Sequence, residues 1–321
     1  MRPLRFSRYC RKFVDLELAD YENDRAGLAK RVNELCARYR IDLVMPGDFD
    51  GQAALVAIKG ELSTPVFPMP SQAQFEELND KWRFQQLCQR LGLPIPKAVH
   101  LPDKSAIDAD ALEAELGYPM VIKPTGLGQS EGLVIAADRA ALTREVLDNP
   151  DYDHGPMVAQ SRVDGRDIGL DIFAVDGEVL CNSAHDRDGS KVIYLANDTF
   201  LEAARRIARE LKLTGVYDFD ALVNDQDGTL HLLECNARFW GTIAHAQWCG
   251  RNFVKTGIAV AFGQPVPEQP DIAGCTVRSP AHLLVRILTF RQAPRRLNRA
   301  ERAALRQGLG DPVAMLLRAQ D

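Results

Sequence analysis

Apolar residues recur along the chain in two rhythms. In residues 24–39 and again in 79–91 they fall three and four apart, the second run putting Phe84, Leu87, Cys88 and Leu91 on one side. Each spacing predicts an amphipathic helix, the latter stopped by Gly92 and Pro94. Around the first helix, residues 4–6 and 41–46 read as strands, 52–59 as a further helix and 65–67 as a short strand. That βαβ alternation predicts part of a parallel sheet, and Pro65, Pro68 and Pro70 then mark a boundary.

Further along, the period shortens to two. Ser105 with Asp108 three residues on predicts a capping box for a helix closing at Gly117. Strands follow at 120–123, 132–136, 157–160 and 169–175, with turns at Asp164-Gly165 and Asp176-Gly177, so this region is expected to be mainly antiparallel sheet. A helix with Phe200, Ala204, Ile207 and Leu211 on one face leads to strands at 216–223 and 229–235.

Composition narrows the class. The 321 residues suffice for about two domains, and 46% hydrophobic with 26% charged residues is the balance of a folded chain. No apolar run approaches the roughly 18 residues of a membrane span, and residues 1–5 have no signal-peptide stretch behind them. The expected location is the cytoplasm, without a membrane partner. Seven cysteines are scattered and never spaced Cys-x-x-Cys. They predict reduced, mostly buried thiols, with neither a disulfide framework nor a zinc site. A net charge of -5 argues against nucleic-acid binding, although residues 291–306 hold six arginines, a solvated helix face or an anion or partner site.

Two constellations carry candidate chemistry. Lys123 ends a strand and is followed by Pro124-Thr125-Gly126-Leu127-Gly128-Gln129-Ser130-Glu131-Gly132. Closely spaced glycines let backbone N-H groups turn toward phosphate oxygens, with the lysine supplying countercharge. The spacing is neither a dinucleotide fingerprint nor a P-loop. It fits a flap over nucleotide phosphates, or a plain Gly-rich hairpin. In the second constellation Glu234 and Asn236, two apart on a strand, share a face, and the turn before them places Asp220 opposite Glu234. Facing carboxylates repel unless a cation lies between them, and oxygen-only ligands suit Mg²⁺. The bland alternative is a solvated strand face.

Together with Asn79-Asp80-Lys81 opening a helix and Leu233-Glu234-Cys235-Asn236-Ala237-Arg238, these motifs resemble the ATP-grasp superfamily over residues 40–265. His185-Asp186-Arg187 resembles a segment of its carboxylate-amine ligases, of the carbamoyl-phosphate-synthetase-like and D-aspartate-ligase-like branch. The resemblance implies an α/β (α+β) fold. Residues 1–75 would form a truncated Rossmann-like domain lacking its first strand, and residues 76–321 the ATP-grasp domain, with a smaller lobe at about 76–160 and a C-terminal lobe at about 161–321.

It further implies that Lys81, Lys123 and the flap residues Gly126, Gly128, Ser130 and Gly132 contact ATP phosphates. Gln160, Ser161 and Val163 belong to the adenine hinge, Asp167 takes the ribose position and Leu233 floors the base. Ser161 stands where the family commonly has a glutamate, which leaves adenine recognition to backbone groups. Asp220, Glu234 and Asn236 match ligands of Mg²⁺, with Mn²⁺ as a substitute, and Arg238 and Arg187 are the catalytic candidates. His185 is expected to orient a neighbour. The activity implied is an ATP-dependent carboxylate-amine ligase working through an acyl phosphate, on a small-molecule carboxylate and amine. A homodimer or a partner could complete the N-terminal domain. The rivals are a thiol acceptor or simple phosphorylation, an inactive ATP-binding regulatory or assembly protein, and a nicotinamide oxidoreductase, which the flap spacing disfavours.

Overall fold

A computed structural model describes residues 2–16, 23–128 and 130–318. After a 3-10 turn at Arg2–Phe6 come helices α1 (Arg25–Tyr39) and α2 (Phe49–Ile58). Asp24 and Asp48 cap them through the amides of Gly27 and Gly51, and Leu28, Val32, Cys36, Ala54 and Ile58 pack the two together. Among the described residues the expected βαβ sheet is reduced to a single parallel bridge, Val44 to Val66. Residues 4–6 form part of the 3-10 turn instead of a strand. Three alternating residues are too few to hold a strand without a neighbour to pair with.

Helices α3 (Gln72–Asn79) and α4 (Lys81–Arg90) follow, sharing the Asn79-Asp80 corner. Beyond β1 (Ala98–Leu101), helix α5 (Ala109–Leu116) closes at Gly117 as expected. Its cap differs: Asp108 itself accepts from the Asp110 and Ala111 amides, while Ser105 sits in a separate turn capped by Asp103. A carboxylate immediately before the helix outcompetes a hydroxyl three residues farther out.

Strands β2 (Met120–Pro124), β3 (Val134–Ala136) and β4 (Met157–Ser161) join β1 in an antiparallel sheet of order β1-β4-β2-β3. The short α6 (Arg139–Leu142) and α5 cover it, burying Leu112, Ile122, Leu142 and Met157. Asp164-Gly165 is no hairpin turn, because Gly165 already opens β5 (Gly165–Val175). β5 pairs with β6 (Glu178–Asp188) and β8 (Gly215–Asn224). With β7 (Lys191–Leu195), β9 (Leu230–Asn236) and β10 (Thr276–Arg278) these make a six-stranded antiparallel sheet of order β10-β7-β6-β5-β8-β9. The pattern of Asp186, Arg187 and Asp188 hid β6, and the structure places Arg187 within this strand, opposite Val192.

Helix α7 (Asp198–Leu211) and α4 back the large sheet, locking Phe84, Leu87, Phe200 and Ile207 against Leu170, Phe219 and Cys235. Elsewhere on the large sheet, α8 (Ile243–Cys249) and α9 (Phe253–Ala261) pack Ala246 and Phe253 on Phe173 and Trp240. Helices α10 (Pro280–Leu288), α11 (Arg299–Gly310) and α12 (Pro312–Arg318) end the fold. Cys249 and Cys275 form a disulfide, their Cα atoms 6.1 Å apart. This corrects the expectation of thiols throughout: residues 26 apart in sequence meet because α8 lies beside the approach to β10. Cys36, Cys88, Cys181 and Cys235 are free and buried, as expected, and Cys10 is half-buried.

Candidate active site

Between the two sheets lies a cleft of about 940 Å³. Its floor is one face of the large sheet. Strand alternation sends Ile168, Leu170 and Ile172 into the core and Asp167, Gly169 and Asp171 the other way. The ladder sets Gly169 between His185 and Asp220, Asp171 opposite Asp218, Asp220 opposite Glu234, and Asp218 opposite Asn236. The predicted facing of Asp220 and Glu234 is therefore a register pair.

The carboxylates on this sheet face need countercharge, and Lys81, Lys123, His185, Arg187 and Arg238 bring basic groups to the same cleft. Lys81 Nζ stands 3.5 Å from Glu234 Oε2. Asn236 Nδ2 donates to Asp220 Oδ2 at 3.3 Å, while Arg238 Nη2 donates to Asn236 Oδ1 at 3.0 Å, so the arginine fixes the amide that fixes the carboxylate. Arg187 and Lys123 also line the cleft. Burial, reinforced by the Glu234 charge, lifts the Asp220 carboxyl to about 7. Burial and Asp220 push Asp218 well above the carboxylate range. For Lys123 burial dominates the pull of Glu234 and lowers the ammonium to about 8.

The roof is the smaller sheet with its loop. Lys123 is buried on β2, and the loop after it is tied to α4 by the Lys81 amide donating to Thr125 O at 2.9 Å. Gly132 is required by its fold: φ is +69° and a Cβ would lie 2.7 Å from Pro124 Cγ. Gly126 and Gly128 meet nothing within 4 Å, so packing does not demand glycine at either. Gln129 lies outside the described residues.

At the seam, β4 passes into β5 through residues 162–164. The Ser161 amide donates to Lys97 O at 2.9 Å and that of Arg162 to Pro119 O at 3.2 Å. The Gln160 side chain is turned to Gln85.

Of the residues singled out from sequence, Lys81, Lys123, Gly128, Ser130, Gln160, Ser161, Val163, Asp167, Arg187, Asp220, Leu233, Glu234, Asn236 and Arg238 all line this cleft. Gly126 and Gly132 belong to the loop above it without lining it. Sequence reasoning missed Asp218 and a buried group beneath His185. Asp171 is fully buried, accepts from Ser183 Oγ at 2.8 Å, and stands 3.5 Å from His185 Nδ1. Burial lowers the His185 pKa, but Asp171 outweighs it and the net shift is upward. The signal for Asp171 was present, since a carboxylate inside Leu170-Asp171-Ile172-Phe173 is buried and must be partnered.

The sheet that carries the glycine loop and the sheet that carries the acidic face, with Lys81 and Lys123 in the cleft between them, make up the ATP-grasp fold. Two family models match parts of the chain: "ATP-grasp in the biosynthetic pathway with Ter operon" over residues 153–281, and "D-ala D-ala ligase C-terminus" over 87–200. A D-alanine--D-alanine ligase of Neisseria gonorrhoeae is 28% identical over 175 residues, 49% of this chain and 56% of the relative. The chain thus spans about half the length of the curated relatives it matches. Among solved structures, the N5-carboxyaminoimidazole synthetase of Staphylococcus aureus superposes with a TM-score of 0.67 at 13% identity, over 91% of this chain and 77% of that one. The biotin carboxylase domain of Hydrogenobacter thermophilus 2-oxoglutarate carboxylase, complexed with MgADP, ADP and bicarbonate, gives 0.62 at 17% identity over 77% and 59%. No helix among the described residues is long and apolar enough to cross a membrane.

Proposed function

We propose that this chain is an ATP-dependent carboxylate-amine ligase. The γ-phosphoryl group of ATP passes to a substrate carboxylate: the bond from phosphorus to the ADP oxygen breaks, a carboxylate oxygen takes its place, and ADP leaves. An amine nitrogen then attacks the acyl carbon, loses a proton and expels phosphate, leaving an amide. The observation that carries this reading is the convergence of Lys81, Lys123, Asp220, Glu234, Asn236 and Arg238 on one cleft between the sheets.

Lys81 and Lys123 bring positive charge to the phosphates, and the open backbone at Gly128 admits phosphate oxygens that a side chain there would obstruct. With the Ser161 and Arg162 amides already bonded, the reading leaves adenine the Val163 amide and the hinge carbonyls, over Leu233, with Asp167 at the ribose. The Asp220 and Glu234 carboxylates with Asn236 Oδ1 suit Mg²⁺ or Mn²⁺, because facing carboxylates with a nearby amide oxygen are an all-oxygen set of the kind a hard cation takes. Bound there with the phosphates, the metal would neutralise charge on them. Arg238 and Arg187 steady the carboxylate and its acyl phosphate, and His185, seated on Asp171, orients groups beside them. We further read residues 1–75 as the unit on the substrate side and 76–321 as the nucleotide clamp.

The test is product analysis over a panel of carboxylates and amines. ADP release that requires the right carboxylate, with added hydroxylamine trapped as a hydroxamate, is the expected result. AMP and pyrophosphate would overturn the acyl-phosphate route. Tight Mg-ATP binding with no turnover over the panel would turn the reading to an inactive ATP-binding protein.

A further inference from the structure

The C-terminal helices carry a surface that the cleft does not use. Residues 280–310 hold seven arginines against the single Glu301, in a chain whose net charge is -5. Glu301 is buried and spent on Arg278 at 3.0 Å. Arg291, Arg295, Arg296, Arg299 and Arg306 are exposed, and none pairs with a carboxylate among the described residues.

Amid this charge the apolar residues point outward. Val285 and Leu288 share a face of α10 at 58% and 68% exposure, and Phe290, at the tip beyond the helix, is 97% exposed. A phenylalanine held almost wholly in water gains free energy from whatever covers it, and with Val285 and Leu288 it makes an exposed apolar group.

The N-terminal segment is basic as well, carrying Arg5, Arg8, Arg11 and Lys12 with no acid before Asp15. It docks on the same helices, where Ser7 Oγ donates to Asp311 and Arg8 Nη1 to Gly310 O at 2.9 Å. Phe6 and Tyr9 are exposed on it, with Arg5 and Arg8 stacked on their rings. Leu309 and Val313 are exposed nearby on α11 and α12.

We propose that this module lies on an anionic lipid surface, with Leu288 and Phe290 entering the headgroup boundary and the arginines meeting acidic headgroups. Charge selects the occupant: a second copy would bring arginines against arginines, whereas an acidic bilayer complements them. Shape agrees, since an apolar tip that protrudes needs a fluid partner more than a grooved one. Such a surface rests on a membrane and does not span it.

The test is co-sedimentation of the full chain with vesicles of phosphatidylcholine alone and of equal parts phosphatidylcholine and phosphatidylglycerol. Binding to the mixed vesicles only, weakened by added salt, is the expected result. R295A/R296A should weaken it by about fivefold per charge removed, and L288S/F290S by about tenfold or more, with Mg-ATP binding unchanged in both as the check on folding. Failure of the unaltered chain to bind the mixed vesicles at low salt would overturn the proposal, as would binding that neither pair alters. A dimer in sedimentation that L288S/F290S dissolves would assign the patch to a second copy instead. Since Mg-ATP binding is read separately, failure here is distinguishable from failure of the ligase reading.

Discussion

Lys123 and Asp220 meet their burial from opposite sides of the same charge problem. Burial lowers the Lys123 ammonium to about 8, and a phosphate contact needs that ammonium. The contribution of this ammonium to Mg-ATP affinity is therefore full below about pH 8 and is lost as the pH rises through it; calorimetric titration across that range measures the step. Lys123→Ala should remove the step and weaken binding by ~2 kcal/mol, through loss of a charge-assisted contact. Wild-type affinity in the folded variant would deny Lys123 this role. Glu234→Gln keeps the size and removes the charge that, with Asp220, suits a cation. Turnover should drop roughly 100-fold while ATP binding survives on the lysines and hinge, and steady-state kinetics at limiting Mg²⁺ reads the difference. With Asp220 titrating at about 7, its proton competes with metal in acid, so the Mg²⁺ requirement should rise as pH falls below that value.

Among the elements, the loop between β2 and β3 separates two uses of glycine. Gly132→Ala forces a Cβ onto Pro124 and His154 at positive φ and should cost about 1–2 kcal/mol of stability, visible as a lower melting temperature. Gly128→Ala meets nothing in the fold, so it should melt like the parent and show its effect only in nucleotide affinity. The reverse outcome would deny the loop its phosphate role. The antiparallel core was legible because β2, β4, β8 and β9 have clear apolar patterns and the turn before β9 sets the register of Asp220 on Glu234. β6 was not, since its outer end reads His185-Asp186-Arg187-Asp188, charges that a cleft needs and a loop would also carry. At residues 41–46 the apolar run was real but no full strand forms among the described residues, because a strand is defined by its neighbours, and there Val44 pairs with Val66 alone. Asp218 was missed for a related reason, its neighbours Tyr217 and Phe219 making it read as ordinary alternation.

For the whole molecule, the disulfide and the hinge are properties that no local pattern announces. Cys249 and Cys275 meet only once α8 and β10 are assembled, so counting thiols is a direct check. Maleimide labelling of the denatured chain should find five thiols before reduction and seven after. Seven from the start would contradict the pairing. The hinge has a larger reach. The chain crosses between the sheets at residues 91–97 and again at 162–164, and the Ser161 amide bonds the second crossing to Lys97 O of the first. Were the small sheet to swing, those two bonded crossings would be its fulcrum and the Lys123 end of β2 would travel farther than the Met120 end. Under the proposed reading adenine sits at the fulcrum, where such a swing displaces atoms least, and the phosphates sit under the end that travels farther. The base could then stay seated while the phosphate end was set free.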